Sequence, residues 1–310
     1  MAHCVVPEAE ALLDQEFPVL DKGFVRLVDY LGGDQRIVQS ARVSYGAGTK
    51  SYREDRGLIN YLMRNDHTSP FEQVVLTFHT KMPIFVARQW VRHRTARLNE
   101  ISGRYSVMEE EFYVPAADKI ALQSRDNKQG READAVDAET AARISASLSE
   151  QQRVAYRGYE ELLETGLARE LARINLPVSL YTQWYWQIDL HNLFRFLSLR
   201  LDAHAQYEIR AYAEAMLHCA RAVCPLATEA FEEHVAGGVR LSRAEYTAVQ
   251  GALTATNDAA PANAAATSSD AATGGTAHNS LRAAAEAAGL SGKALERFLE
   301  KFATTMGEES

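Results

Sequence analysis

Residues 92–105 read RHRTARLNEISGRY and carry four arginines and one histidine within fourteen positions. The cations are Arg92, His93, Arg94, Arg97 and Arg104, and the sequence on either side is largely apolar. Crowded like charges repel each other, so an anionic group is expected among them. Because the guanidinium fork suits phosphate and carboxylate, the stretch predicts a nucleotide or phosphate site.

The sequence before this stretch predicts a helix. Pro83 suits a first helical position and opens IFVARQWVRHR. On that helix Gln89, Arg92 and His93 fall at positions i, i+3 and i+4, so we expect them to share one face near its C-terminal end. After a turn around Asn99, the segments RYSVM and EFYV have strand character.

The composition of the whole chain limits the classes of protein to which it can belong. Its 310 residues, net charge of −8 and 46% hydrophobic content are typical of a soluble globular protein. The acidic balance disfavours general binding to nucleic acid. Three unpatterned cysteines indicate neither a disulfide framework nor a metal site. The acidic N-terminus does not read as a signal peptide and no apolar run reaches membrane-spanning length, so we expect a cytoplasmic protein without a membrane partner.

Changes in composition divide the chain into four predicted parts. Residues 1–16 form an N-terminal extension, and residues 17–240 form the main domain with a polar, aromatic-free insertion at about 115–147. Residues 250–280 are rich in small polar residues and are expected to be a disordered linker. Residues 281–310 are expected to form a tail of one or two short amphipathic helices.

Helices alternate with strands along the main domain. Alternating apolar residues predict strands at 23–29, in VVLTFHTKM and in LYTQWYWQI. Helical periodicity is seen at 53–64, at 148–165, in LARELARI, in LHNLFRFLSLRL and in AQYEIRAYAEAMLHCARAV. Asp189 suits the N-cap of the fourth of these helices. This interleaving indicates a mixed α/β or α+β domain.

The stretch 92–105 resembles the signature of the flavin-dependent thymidylate synthases. That signature runs Arg-His-Arg, two variable residues, Ser, one variable residue, Asn-Glu, one variable residue, Ser, one variable residue, Arg-Tyr. Every fixed position matches except the first Ser, which is Arg97 here. The resemblance covers about residues 17–236 and includes ARVSYG (41–46), HTSPFE (67–72), FVARQWVRHR (85–94), ARINLP (172–177) and LRLDAHAQYEIR (199–210).

The resemblance implies a fold and a reaction. The implied fold is a central, mostly antiparallel sheet flanked by helices, assembled into a homotetramer whose active sites are shared between subunits. The implied reaction is the reductive methylation of dUMP to dTMP. In that reaction 5,10-methylenetetrahydrofolate supplies the carbon, FAD carries the hydride and NADPH reduces the flavin. Because none of the three cysteines lies near the arginines in sequence, we expect no cysteine nucleophile.

The resemblance also assigns residues to the two ligands. The residues expected to contact FAD are His67, Ser69, Arg92, His93, Arg94, Glu100, Asp189, Leu190, His191, Arg195 and His204. The residues expected to line the dUMP site are Gln89, Trp90, Val91, Arg92, Glu100, Ile101, Ser102, Gly103, Arg104, Arg173 and Arg200. Taken alone, His67 could be a surface histidine, Arg173 a cation that stabilises a helix C-terminus, and His204 a structural residue.

Arg200 is the expected catalytic residue. The uracil ring must become electron-rich at C5, and a guanidinium at its O2–N3–O4 edge would stabilise the developing charge. Arginine cannot act as a general base, because it does not lose its proton at working pH.

Two other classes of protein share parts of this pattern. A nucleic-acid-binding module could use Trp184 and Trp186 as stacking platforms. A catalytically inactive flavoprotein could serve as a scaffold. Arg97, expected in the turn between the two arms of the motif, predicts altered loop geometry or added affinity for anions.

Overall fold

The computed structural model describes residues 4–43, 52–125, 130–259 and 273–303. Contacts between residues divide the chain into two compact units, Met1–Ala236 and Gly237–Ser310. Within the described ranges no helix combines the length and apolar character needed to cross a lipid bilayer.

A five-stranded antiparallel sheet is the centre of the first unit. The strands of this unit are β1 (Glu16–Val19), β2 (Gly23–Leu31), β3 (Val75–Pro83), β4 (Arg97–Glu100), β5 (Ala121–Gln123), β6 (Arg131–Ala135) and β7 (Tyr181–Asp189). The main sheet has the order β1-β2-β3-β7-β4, and every neighbouring pair in it is antiparallel. The mostly antiparallel sheet expected from the resemblance is therefore confirmed.

Helices cover the buried face of this sheet. The helices of the first unit are α1 (Pro7–Glu10), α2 (Asp34–Arg42), α3 (Tyr52–Arg64), α4 (Ile84–Trp90), α5 (Ala138–Glu164), α6 (Arg169–Ala172), α7 (Leu190–Arg200), α8 (Tyr207–Val223) and α9 (Pro225–Phe231). Burial alternates along β3, as its period-2 pattern predicts, and α4, α7 and α8 pack against the strands. Residues 44–51, which include part of the ARVSYG segment, lie outside the described residues.

An aromatic cluster joins α4 to the sheet. Trp90 is fully buried, and its ring contacts Trp184, Trp186, Phe196 and Tyr212 with centroid distances of 5.0–5.8 Å. Trp184 and Trp186 are each 1% exposed. They cannot stack on bases, so their predicted alternative role as nucleic-acid platforms is wrong.

The region of the arginine motif departs from the predicted elements. Helix α4 ends at Trp90 rather than continuing to residue 94, so Arg92 and His93 do not lie on a helical face with Gln89. Instead, 97–100 forms β4, whose backbone pairs with β7. Arg97 therefore lies in a strand and not in a turn. All four residues of β4 are exposed, so no alternation of apolar residues marks the strand in the sequence.

Three further predictions need correction in the first unit. RYSVM forms no strand because Tyr105 and Val107 are exposed, and EFYV contributes only an isolated bridge from Phe112 to Leu180. Within the polar insertion β5 and β6 form a two-stranded sheet. Helix α5 begins at Ala138, about ten residues before the predicted start, because Asp137 caps it through Thr140.

The described part of the second unit contains three helices, α10 (Arg243–Ala259), α11 (Thr273–Ala287) and α12 (Gly292–Ala303). Its core consists of Ala248, Ala285, Leu295, Phe298 and Leu299. The short helices predicted in the tail correspond to the C-terminal part of α11 and to α12. The predicted linker is wrong at both ends, where α10 and α11 extend into it, and residues 260–272 lie outside the described residues. Alanine-rich sequence favours helix, and the helices of this unit pack partly through the small side chains of Ala248 and Ala285.

Candidate functional site

Arg200 is fixed at the C-terminal end of α7 by two hydrogen bonds. Its Nε donates to Nε2 of His93 at 3.1 Å, and its Nη2 donates to the main-chain carbonyl of Gln89 at 3.0 Å. Gln89 lies in the last turn of α4, where carbonyl groups have no partner within the helix. Arg200 thus joins the ends of two helices, and its Nη1 has no hydrogen bond to any described residue.

His93 is a neutral histidine with a defined tautomer. Arginine only donates hydrogen bonds, so Nε2 of His93 must be the unprotonated acceptor and Nδ1 must carry the proton. Burial, followed by the charges of Arg200 and Arg195, lowers the pKa of His93 to about 4. The ring of Phe196 packs edge-on against it at 4.9 Å. His93 therefore presents one N–H donor at neutral pH.

A cleft of about 340 Å³ adjoins this pair. Its lining is Arg92, His93, Arg94, Thr95, Ile188, Asn192, Arg195, Leu199 and Arg200. The lining holds four arginines and no carboxylate, and none of the four forms an ion pair with a described residue. A cleft of this composition is suited to an anionic ligand with several oxygen atoms.

The start of α7 explains how the cleft is positioned. Asp189 accepts hydrogen bonds from the backbone and side chain of Asn192, which confirms the predicted N-cap. Leu193 and Leu197 are fully buried on the inner side of the helix. This packing leaves Arg195 exposed on the outer side.

A second group of predicted residues assembles around Gly103. A Cβ atom on Gly103 would lie 3.1 Å from Cδ and 3.2 Å from Nη1 of Arg173, so the arginine packs directly on the glycine backbone. Ser102 Oγ accepts from the backbone N–H of Arg104 at 3.3 Å, and Nε of Arg104 donates to Glu170 at 2.9 Å. These residues form a compact group that contains two exposed arginines.

Other predicted residues have different surroundings. Trp90 and Leu190 are fully buried, so only their backbone atoms could face a ligand. The backbone N–H of His67 donates to Leu62 at 2.9 Å, and its ring packs on Tyr61. His204 bonds to Asp202 at 2.9 Å.

The remaining predicted residues have few described contacts. Thr182 Oγ1 donates to Glu100 at 2.6 Å. Ser69, Val91 and Ile101 are exposed, while His191 is half-buried.

Two residues of the site were missed in the sequence. Asn192 lines the cleft. In the sequence, its position three residues after the predicted N-cap Asp189 places it in the first turn of the helix that borders the cleft. Gln206 accepts a hydrogen bond from Nε2 of Gln89, although the two residues lie 117 positions apart. Nothing in the sequence alone pairs these two amides.

The neutrality of His93 can be tested by its pH response. Because its folded pKa lies below the ordinary value of 6.5, we expect the imidazole to stay unprotonated as pH falls from 8 to about 5. The unfolded state would bind the proton first, so stability should fall as pH drops from about 6.5 to about 4. Imidazole ¹⁵N shifts report the titration, and a midpoint near 6.5 would contradict the assignment. In Arg200→Ala the midpoint should rise.

Comparison with known proteins places the chain in a family. The profile described as "Thymidylate synthase complementing protein" matches residues 26–226. The chain is 57% identical over 289 residues to the flavin-dependent thymidylate synthase of Treponema denticola, covering 93% of this chain and 97% of the relative. It is 59% identical to that of Treponema pallidum, covering 82% of this chain and 83% of the relative.

A solved structure shares the fold. The UMP/dUMP methylase PolB of Streptomyces cacaoi, bound with 5-Br dUMP, aligns with a TM-score of 0.65 and 34% identity, covering 71% of this chain and 99% of that protein. These matches agree with the antiparallel sheet and with the motif at 92–105. The chain therefore belongs to the flavin-dependent thymidylate synthase family.

Proposed function

We propose that this chain methylates dUMP at C5 to give dTMP, with 5,10-methylenetetrahydrofolate as carbon donor, FAD as hydride carrier and NADPH as reductant. Membership of the family and the nucleotide bound to the solved methylase support this proposal. The observation that carries it is the Arg200 guanidinium, which two acceptors hold at the edge of an arginine-lined cleft.

The cleft fits the charge of FAD. Arg92, Arg94 and Arg195 offer permanent positive charges for a diphosphate, and Nδ1–H of His93 adds a neutral donor. We infer that these residues hold the cofactor, which supplies the hydride when bound. His67, Ser69, Glu100, His191, His204 and the residues at 189–190 remain proposed flavin contacts, Leu190 through its backbone.

We propose that the Gly103 group binds the phosphate of dUMP. Ser102, Arg104 and Arg173 offer a hydroxyl and two guanidinium groups, and the absence of a side chain at Gly103 brings the backbone close to Arg173. Each charge-assisted hydrogen bond is worth roughly 1.5–3 kcal/mol when desolvated. Gln89, Glu100, Ile101 and the backbone at 90–91 are proposed to line the rest of the nucleotide site.

Arg200 is proposed to act on the uracil ring. Bond formation at C5 requires electron density that is shared with O4 and N3, and a fixed cation beside this edge stabilises that charge. Burial lowers the pKa of the guanidinium, but arginine stays protonated at working pH. Its contribution is therefore electrostatic stabilisation and not proton removal.

We further propose that the active protein is a homotetramer with shared active sites. The Arg200 cleft is built from α7 and the loop after α4, whereas the Gly103 group is built from 102–104 and the segment around Arg173. Two groups built from different segments in this way suit an active site that is completed by another subunit.

The cysteines give a testable part of the mechanism. Cys219 and Cys224 are fully buried, and burial raises the pKa of the Cys219 thiol to about 12. A thiolate is the reactive form, so neither is suited to attack dUMP. We expect Cys4→Ser, Cys219→Ala and Cys224→Ala, made singly, to retain kcat within about twofold, since no substrate bond is lost. A loss of about a thousandfold in one of them, with the fold intact by circular dichroism, would contradict this expectation.

Reconstitution with FAD tests the proposed function. Purified protein incubated with FAD should retain a yellow chromophore after desalting, and dUMP should perturb its absorbance. Addition of NADPH and methylenetetrahydrofolate should then yield dTMP by chromatography. Protein that binds FAD but forms no dTMP would support the inactive scaffold instead, and protein that cannot retain FAD would defeat the proposal.

A further inference from the structure

The side-chain amide of Gln89 is engaged at its donor end only. Its Nε2 donates to Oε1 of Gln206, and its Oε1 forms no hydrogen bond with a described residue. The main-chain carbonyl of Gln89 accepts from Nη2 of Arg200 at 3.0 Å. Gln89 is half-buried and Gln206 is exposed, so the pair of amides lies at the protein surface. The residue that holds the Arg200 guanidinium therefore also offers a hydrogen-bond acceptor to a ligand.

Gln206 lies at the end of a closed turn that joins α7 to α8. Within this turn the main-chain carbonyl of Asp202 accepts from the backbone N–H of Ala205 at 2.9 Å. From α8, Nη1 of Arg210 reaches back to the main-chain carbonyl of Ala203 at 3.2 Å. Gln206 follows as the N-cap residue of α8. The backbone that carries its amide is therefore held by contacts that involve no ligand.

The first residues of α8 are fixed by the polar insertion and by a buried hydrogen bond. In the insertion, Nζ of Lys119 lies 4.9 Å and Cζ of Arg131 lies 5.4 Å from the ring centroid of Tyr207, which are cation–π contacts. Glu208 is 5% exposed, and its Oε1 accepts from the hydroxyl of Tyr113 at 3.1 Å. The start of α8 is therefore anchored directly after the N-cap amide.

The reactive base of dUMP needs both donors and an acceptor along one edge. In uracil O2 and O4 accept hydrogen bonds, whereas N3–H donates one. Arginine has donors only, so Arg200 can serve the two oxygens but not N3–H. An amide oxygen can serve N3–H, and Oε1 of Gln89 is such an acceptor. In cytosine N3 carries no hydrogen and is itself an acceptor, so the same oxygen would face it without a hydrogen bond.

We propose that Gln206 is a positioning residue, which helps the site to select uracil over cytosine by holding the Gln89 amide with Oε1 toward N3–H of dUMP. The role rests on the proposed function, since it requires that dUMP bind beside Arg200. The two ends of an amide have nearly the same shape but opposite hydrogen-bonding character. Because Oε1 of Gln206 takes the donor end of Gln89, the acceptor end is left for the substrate.

Calorimetric titration of the FAD-loaded full chain with dUMP and with dCMP tests this role. The two nucleotides carry the same phosphate, so the ratio of their dissociation constants reports on the base alone. Wild-type protein should bind dUMP at least about 100-fold more tightly than dCMP, because a site that pairs with a substrate N–H rejects an analogue that lacks it. Gln206→Met, which keeps the length of the side chain but cannot hydrogen-bond, should lower this ratio about tenfold.

Two further variants separate the hydrogen bond from the shape of the side chain. Gln206→Glu keeps an acceptor for Nε2 of Gln89 and should hold the ratio within about threefold of the wild type. Gln206→Lys offers only donors, so it should pair with Oε1 of Gln89, turn the amide over and lower the ratio by more than about tenfold. A purely structural role would weaken the binding of both nucleotides equally and leave the ratio unchanged.

The matched control is Gln151→Met, which removes an exposed amide that bonds to Ser147 on α5. It should change neither dissociation constant. Gln89→Leu should lower the ratio by itself, and adding Gln206→Met to it should lower the ratio no further, because both act through one contact.

Three results would overturn the role of Gln206 and leave the proposed function intact. They are an unchanged ratio in folded Gln206→Met protein, additive effects of the Gln89 and Gln206 substitutions, and a wild type that binds dUMP and dCMP equally well. Wild-type protein that retains FAD but does not bind dUMP would instead defeat the proposed function, and the role of Gln206 with it.

Discussion

Replacing Arg200 with alanine is expected to lower kcat by about 10²–10³-fold while the protein keeps its FAD, because one fixed donor to the transition state is removed. Arg200 is held by His93 and by the carbonyl of Gln89, so its position is set before substrate binds. FAD should remain bound because Arg92, Arg94 and Arg195 still line the cleft. Steady-state kinetics and the flavin absorbance after desalting measure the two effects.

Two variants separate the geometry of Arg200 from its charge. Arg200→Lys keeps the positive charge but cannot reproduce the planar fork that contacts both acceptors, so it should recover only part of the loss. Arg221→Ala removes an exposed arginine that bonds to Glu232 and should leave kcat unchanged. Near-normal turnover of Arg200→Ala would remove Arg200 from the catalytic role.

Replacing Arg173 with alanine is expected to raise KM for dUMP by about 10- to 100-fold with a smaller change in kcat, since one charge-assisted contact to the phosphate is lost. Gly103→Ala should act in the same direction, because the added Cβ would lie 3.1 Å from the Arg173 side chain and displace it. Initial rates over a range of dUMP concentrations give both constants.

The control for Arg173 is Arg157→Ala, which removes an exposed arginine from α5 and should leave KM unchanged. An unchanged KM for dUMP in Arg173→Ala, or an equal rise of KM in the control, would mean that the phosphate of dUMP binds at another part of the protein. Deoxyuridine lacks the phosphate, so it should bind the wild type and Arg173→Ala equally weakly.

The parts of the fold that bury an apolar face could be predicted from the sequence. Alternation along β3 and β7, and the carboxylate of Asp189 before an apolar stripe, each mark an element through a local pattern. Strand β4 has no such pattern, since all its side chains are exposed and only its backbone pairs with β7. Helix α10 and the first part of α11 were not predicted, because alanine-rich sequence with small polar residues has the composition of a low-complexity linker although it also favours helix.

The candidate site was predictable in composition but not in arrangement. The density of arginine at 92–105 pointed to an anion, and the resemblance added Arg173 and Arg200. The contact of Arg200 with His93 joins residues 107 positions apart and depends on where α4 and α7 end. The tautomer of His93 and the packing of Arg173 on Gly103 follow from that three-dimensional arrangement, which no local pattern reports.

Release of tritium from 5-tritiated dUMP tests the central claim most directly, because methylation must replace the hydrogen at C5. The account predicts that FAD-loaded protein releases tritium to water and forms dTMP in equal amounts when both NADPH and methylenetetrahydrofolate are present, and that Arg200→Ala does neither at a comparable rate. Absence of tritium release from yellow, folded wild-type protein under these conditions would contradict the account.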